Sequence, residues 1–393
     1  MEKKFEIPSI VRTLSLALVV VGVVVYAAGF VTNPERTWAN FLLNNIYFLG
    51  LAVGGAFFLA IQYITQSGWS AQFKRIPEAM SMYFPVAAIM FLPIILFGTH
   101  SIYHWSHTEH IQHDALMVHK SAYLNLPFFA LRYVIYFALW IFFTQLLRRW
   151  SIKEDAEGGL EYFKKSEFYS RVLIFIFAFS FSLFAVDWIM AIDAHWFSTI
   201  FAAKNFLSAF QHAVAIITLI LIYLKRQGYF PAVTNLHLHD LSRYIFILTI
   251  AYGYFWFSQF FLIWFANIPE ETVYYVQRME SFKALTLSAF ALNFAFPFLF
   301  LLWNKIAKSE TGLIFAAFVM IIGHWLDLYE EIIPGIAKLN PEIQISGFAW
   351  IEIGGFLGFA GLFIFVLARA LSRANVIAIK HPYLEESLQH DAQ

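Results

Sequence analysis

Ten stretches of this 393-residue chain are each long and apolar enough to cross a bilayer, and they leave little chain for anything else. A hydrocarbon core needs about 20 consecutive apolar residues per helix. Inside it every backbone polar group must be bonded within its own segment, so helices are the form such stretches take. Windows of this kind lie near 10–31, 41–64, 83–99, 127–147, 170–190, 206–224, 243–266, 283–303, 312–330 and 347–371. Apolar residues make up 60% of the chain and charged residues 13%, whereas soluble domains are roughly 25% charged. The expected fold class is therefore an all-α polytopic membrane protein with ten transmembrane helices. No cysteine is present, which excludes cysteine-ligated iron–sulfur clusters, covalent haem attachment and disulfides within the chain. No basic patch is interleaved with aromatics, so nucleic acid is not an expected partner. The first apolar run follows Met1-Glu2-Lys3-Lys4 and lacks a small-residue cleavage site, so it reads as a retained helix.

An even number of spans puts both chain ends on one side, and the distribution of basic residues says which. Nineteen Lys and Arg residues, among them Lys3, Lys74, Arg75, Arg148 and Arg149, fall on the face that holds the termini. The other face has seven: Arg36, Lys120, Arg132, Lys204, Arg278, Lys283 and Lys338. Both termini are expected to be cytoplasmic. The outer loop near 100–126 is rich in histidine and should fold as short amphipathic helices. Residues 151–167 read as a charged linker, and the polar tail after Arg373 as lying on the cytoplasmic surface.

Spans two to five and six to nine look like two copies of one unit. Ala39-Asn40-Phe41-Leu42 opens the first and Lys204-Asn205-Phe206-Leu207 the second; Asp187-Trp188 and His324-Trp325 close them, with Asp193 opposite Glu330. Four helices per copy is an even number, so the copies run the same way. The expected organisation is a flanking helix in 1–35, a four-helix bundle in 36–200, a second in 201–340, and a flanking helix with the tail in 341–393.

Charge inside a bilayer costs at least about 2.5 kcal/mol per group, and persists mainly where it pairs or moves ions. Asp187 and Asp193 stand at the outer end of span five. His324, Asp327, Glu330 and Glu331 stand at the same level on span nine, where His324, Asp327 and Glu331 follow i, i+3, i+7 spacing and share a face. His212 lies in the outer third of span six, Arg132 early in span four and Glu352 one turn into span ten. Histidine titrates near neutrality and burial raises a carboxylate, so Asp187, Asp193, His212, His324, Asp327, Glu330 and Glu331 are the candidates for a proton relay. Arg132, also expected as a structural partner for one of these acids, and Glu352 would tune it electrostatically. The opposing reading is interhelical ion pairing without proton movement, and for any one residue the two are about even. The cytoplasmic half offers less: Gln62, Gln145 and Asn293. His100, His104, His107, His110, His113 and His119 have helical metal-ligand spacing, but a metal site needs fixed ligands and a second shell, and none is expected.

Several segments together carry a resemblance: Asp187-Trp188-Ile189-Met190, His195-Trp196-Phe197-Ser198-Thr199-Ile200, Ser258-Gln259-Phe260, Trp264-Phe265-Ala266-Asn267-Ile268-Pro269-Glu270-Glu271-Thr272 and Gly323-His324-Trp325-Leu326-Asp327-Leu328-Tyr329. Over nearly its whole length the chain resembles the polysulfide-reductase-like (NrfD-type) membrane subunits. Within them it is similar to the ActF-type quinone-binding subunit 2 of bacterial alternative complex III, a quinol:cytochrome c oxidoreductase. The resemblance implies two four-helix bundles with a flanking helix at each end, in the bacterial inner membrane. It implies as partners a sister quinol-binding subunit, multihaem and monohaem cytochromes c, an iron–sulfur subunit, a terminal oxidase and lipids. Haem c and iron–sulfur clusters would sit on those partners, and this chain would hold no redox centre. Asp187, His324 and Asp327 match the polar motif positions of the family. The quinone, menaquinone or ubiquinone, is given no ligand in this chain. Two other functions compete with proton translocation: a scaffold that docks the cytochrome and iron–sulfur subunits, and a stand-alone secondary transporter, which the parallel repeat disfavours.

Overall fold

In the computed structural model, which describes residues 4–107, 113–339 and 347–390, regular structure is helical throughout the described residues. Ten helices are long and apolar enough to cross a membrane. They are α1 (Ser9–Thr32), α2 (Pro34–Ile64), α3 (Ala71–Ile102), α4 (Leu126–Glu157), α5 (Glu161–Trp188), α6 (Phe201–Arg226), α7 (Asn235–Ala266), α8 (Lys283–Leu301), α9 (Glu310–Lys338) and α10 (Trp350–Ser372). All ten expected windows fall on these helices, but several run past their apolar windows at polar ends. The expected linker at 151–167 is the clearest correction. Helix α4 continues through its charged residues to Glu157, and Gly158, at φ +76°, turns the chain where a side chain would be strained. Helix α5 begins at Glu161. The linker charges stay helical because they bind one another and the start of α3.

Helix ends follow local chemistry. Asn33 accepts from the Arg36 amide at 3.2 Å and Pro34 opens α2, where its missing N–H costs nothing. Asn125 caps α4 in the same way through the Phe128 amide, with Pro127 next. Asn267 ends α7 in the left-handed conformation, and Ile268-Pro269 starts a separate short helix, Pro269–Ser281. The quoted Asn-Ile-Pro-Glu-Glu-Thr segment is thus a helix stop followed at once by a helix start. Of the outer loop, His104–Ser106 forms one 3-10 turn and Ala115–Lys120 a helix capped by Asp114. His110 lies outside the described residues.

The centre of the molecule is the pair α2 and α6. Helix α2 is almost wholly buried and packs against α1, α3, α5, α6, α9 and α10. Helix α6 packs against α2, α5, α7 and α9. Their contact is a seam of small residues at four-residue spacing, Gly50 and Gly54 on α2 against Ala209 and Ala213 on α6. A Cβ on Gly54 would lie 2.4 Å from the Ala213 Cβ, so only glycine lets the backbones approach this closely. Helices α1 and α10 cross as tightly, and a Cβ on Gly22 would meet the Gly358 Cα at 2.5 Å. Much of the outer surface of α1 and α7 is apolar and exposed, as lipid-facing helices require (Val20, Val24, Phe257, Phe265).

Both chain ends lie at one end of the bundle. Lys4 bridges to Asn375, and Phe5 packs on Tyr229 at the α6–α7 turn. The tail is strapped across this end: Lys380 donates to the Ala156 carbonyl at 2.5 Å, and Ser387 donates to that of Trp69 at 2.6 Å. His381 is buried there among Tyr63, Phe163 and Tyr383, and its Nδ1 accepts from the Tyr383 amide at 3.3 Å.

Two predictions follow from these contacts. Gly54→Val should force α2 from α6 and cost at least about 1–3 kcal/mol, read as a lowered unfolding midpoint by tryptophan fluorescence; an unchanged midpoint would remove the seam from the centre of the fold. Burial, with Lys74 and Arg75 nearby, pushes the His381 imidazole down to about 2. The unfolded ring takes a proton below about 6.5 and the folded ring does not. Stability should therefore fall with pH below about 6.5, by up to about 1.4 kcal/mol per unit, and His381→Phe should flatten that slope.

Candidate functional site

Burying charge requires compensation, and the described residues hold three buried ionic groups that can be compared by that criterion. At the end of the bundle that carries the termini, Arg75 donates to Glu78 at 2.7 and 3.0 Å and to Asp155 at 2.5 Å. Arg148 donates to Glu78 at 2.7 Å, Lys74 to Glu154 at 2.8 Å, and the Ser151 hydroxyl to Glu78 at 2.9 Å. Three cations thus face three carboxylates. The sequence reading expected little at this end, and this group corrects it. Its charges sit at the polar margins of apolar windows, where they read as loop residues.

The second group joins α4 to α5. Arg132 holds Asp187 through two bonds, Nε at 2.8 Å and Nη2 at 3.0 Å, and the Tyr136 hydroxyl donates to the same carboxylate at 2.7 Å. The remaining Arg132 donor, Nη1, reaches the Tyr123 carbonyl at 3.0 Å, and the guanidinium lies over the Tyr123 ring. One cation meets one anion, with both carboxylate oxygens satisfied.

The third group lies among α6, α7, α8, α9 and the helix Pro269–Ser281. Lys204 donates to Asp327 Oδ1 at 2.7 Å and to Glu331 Oε1 at 2.6 Å. Tyr252 donates to Asp327 Oδ1 at 2.8 Å, Ser208 to Asp327 Oδ2 at 3.1 Å and Asn205 to Glu331 Oε1 at 3.2 Å. Arg278 pairs with Glu330 at 3.0 Å, and Thr286 donates to the same carboxylate at 3.3 Å. Above Ser208, the His324 ring stacks on His212 with centroids 3.9 Å apart and planes 11° apart. The His212 Nε2 meets Asn293 Oδ1 at 2.9 Å, and Asn293 donates to the Gly323 carbonyl at 2.8 Å.

The helix geometry that presents Asn293 is itself unusual. Residues Ala291–Ala295 form a π-helical turn in α8, a feature that frees a carbonyl from the regular ladder. The Asn293 carbonyl, whose i+4 residue is Pro297 and so offers no N–H, accepts from Gln211 at 3.0 Å. Gly323 makes room opposite, since a Cβ there would lie 2.7 Å from Asn293 Oδ1.

This third group differs from the others in its charge count. Lys204 and Arg278 are two buried cations, whereas Asp327, Glu330 and Glu331 are three buried carboxylates. Glu331 Oε2 and His324 Nε2 have no hydrogen-bond partner among the described residues. A neutral interior needs at least one more positive charge or protonated acid, and Asp193 beside Arg278 adds a fourth, partly exposed carboxylate. The group also has a way out. Asp193, partly exposed, lies 3.9 Å from Arg278 and lines a cleft of about 450 Å³ shared with His104, His195, Trp196, Glu270, Tyr274 and Lys338.

The expected relay residues therefore divide. His212, His324, Asp327, Glu330 and Glu331 belong to one connected network and Asp193 stands at its mouth. Asp187 belongs to the Arg132 pair instead, with no bond to that network among the described residues. Glu352 pairs with Arg36 at 2.7 Å and caps α10 through the Ala349 amide, so its role is at a helix start. Sequence reasoning missed Lys204, Ser208, Tyr252 and Arg278 as members. The signal for Lys204 was present: it opens the second expected repeat unit where Ala39 opens the first, an unneeded charge unless an acid awaits it. Compared with known proteins, the chain matches no family model and no curated sequence.

The charge counts separate two substitutions. Asp187→Asn should cost about 3–5 kcal/mol by leaving Arg132 buried without its anion. Glu331→Gln removes one acid from an acid-rich group and should cost no more than about 1 kcal/mol. Thermal unfolding of both variants in the same detergent checks this, and the reverse order would show that the count does not govern stability.

Proposed function

We propose that this chain is an integral membrane subunit of a quinol:cytochrome c oxidoreductase of the alternative complex III type, and that it handles protons coupled to quinol oxidation. It would carry no redox centre of its own. The single observation behind the proton role is the buried acid-rich network around Lys204, in which carboxylates outnumber cations and which reaches an open cleft through Asp193. A proton is the smallest charge that can balance such a group, and it can come and go without moving a helix.

The segments that resemble the family support the same assignment by where they fall. Gly323–Tyr329 supplies His324 and Asp327, while Trp196 and Glu270 line the cleft. The helix contacts support a parallel repeat. Helices α2 and α6, first in each unit, pack on each other; α2 also meets α9 and α6 meets α5, each the last helix of the other unit. With the termini cytoplasmic, as the basic residues suggest, the cleft would open to the periplasm of a bacterial inner membrane. The partners would be a sister quinol-binding subunit, cytochromes c, an iron–sulfur subunit and a terminal oxidase.

A scaffold role has its own support in the Arg132–Asp187 pair, which is fully bonded and electrically balanced, as an interhelical fastening would be.

Tagging the chain, purifying it in mild detergent, and recording subunit masses with a reduced-minus-oxidised spectrum tests the assignment. Haem c absorbance with co-purifying cytochrome and iron–sulfur subunits is expected; a solitary, haem-free protein would move a stand-alone transporter to first place. In the assembled complex, Asp327→Asn should lower protons moved per electron by half or more while electron transfer persists. Equal loss of both, or unchanged pumping, would favour the scaffold.

A further inference from the structure

The stacked histidines can be assigned protons from the oxygens around them. His212 Nδ1 lies 2.5 Å from the Ser208 carbonyl, and its Nε2 lies 2.9 Å from Asn293 Oδ1. The Asn293 amide is not free to turn, because its nitrogen donates to the Gly323 carbonyl at 2.8 Å. Both ring nitrogens of His212 thus face oxygens that only accept. A neutral imidazole has one N–H and would leave a lone pair against an oxygen; an imidazolium satisfies both. His324 is different. Its Nδ1 lies 3.0 Å from the Ser208 hydroxyl, which itself donates to Asp327 Oδ2 at 3.1 Å. That hydroxyl must accept from His324 Nδ1–H, and the Nε2 of His324 keeps a lone pair with no partner among the described residues.

We propose that His212 and His324 form a proton-binding site that holds one proton between them, carried on His212 in this structure. This rests on the proton-handling reading of the Lys204 network and adds where the proton sits. Two observations converge on it. The acceptors around His212 call for a second ring proton, and the network, whose carboxylates outnumber its cations, lacks at least one positive charge, which that proton supplies. The stack limits the site to one: two imidazolium rings with centroids 3.9 Å apart would repel, whereas an imidazolium on a neutral ring does not.

The ionisable groups around the pair come from every side. Helix α2 contributes Tyr47, whose ring lies 5.0 Å from that of His324, and α6 contributes Lys204. Helix α7 contributes Tyr252, α9 contributes Asp327, Glu330 and Glu331, and the helix Pro269–Ser281 contributes Arg278. Helix α8 supplies Asn293, which does not titrate. The free Nε2 of His324 points toward α2, and a Cβ on Gly50 would stand 4.0 Å from it.

Solid-state NMR of the purified complex with 15N-labelled histidine, compared with the same preparation carrying His212→Gln or His324→Gln, isolates the protonation of these two among the chain's 13 rings. A pH of 8.5 is about two units above the ordinary histidine value, where an unperturbed imidazole is neutral. One doubly protonated ring is expected to persist, in through-space contact with a neutral ring. It should vanish in His212→Gln and remain in His324→Gln. Absence of any doubly protonated ring at pH 8.5 in the unsubstituted protein overturns the proposal without recourse to a variant. So does a signal that survives His212→Gln, or the appearance of both rings doubly protonated at pH 5.5. The readout does not depend on which subunits co-purify, so failure of the complex assignment and failure of this site are separate results.

Discussion

The close approach of α2 and α6 is the constraint on which the rest of the structure depends. Between helices in lipid there is little hydrophobic drive, so association relies on packing and on polar contacts. Gly50 and Gly54 remove the side chains that would hold α2 away from Ala209 and Ala213. With the two backbones in contact, α6 presents Lys204, Ser208 and His212 to α9 on one face. The same approach places Tyr47 against His324 from the other side. A seam without polar atoms therefore sets the positions of a polar site.

Three buried ionic groups then show how similar chemistry serves different ends. The Arg75–Glu78 group and the Arg132–Asp187 pair have as many cations as anions, and their bonds tie α3 to α4 and α4 to α5. Such groups fix helices in register, because withdrawing one partner strands the other in a medium that cannot solvate it. The network around Lys204 has the same residue types and bond lengths, but its carboxylates outnumber its cations. That imbalance, rather than burial or the number of acids, is what makes it the candidate for proton exchange. The cleft at Asp193 gives it contact with solvent that the Arg132–Asp187 pair has no visible need of.

How much of this was legible in the sequence depends on the range of the interaction. The i, i+3, i+7 spacing of His324, Asp327 and Glu331 is a property of one helix, and it correctly put them on one face. Asp187 was joined to that set because it occupies the matching place in the first of the two expected repeat units. The expected repeat would fix level and not partner, and Arg132, 2.8 Å away in space but 55 residues away in sequence, claims it. Lys204 was counted only as a basic residue of the outer face. Nothing within α6 announces that it reaches two carboxylates on α9.

The sequence by itself determined the ten helices, their approximate limits and the level at which the acids and histidines stand. Each of these follows from local hydropathy, capping and helical periodicity, which act within a few residues. Only the tertiary structure decided which charges meet, because an ion pair between helices is a matter of facing, and facing is set by the small-residue seams and the π-turn in α8. The charge count of each group was likewise undecided until then. A helix carries its residues wherever it goes, but whether three carboxylates find two cations or three depends on which helices come to surround them.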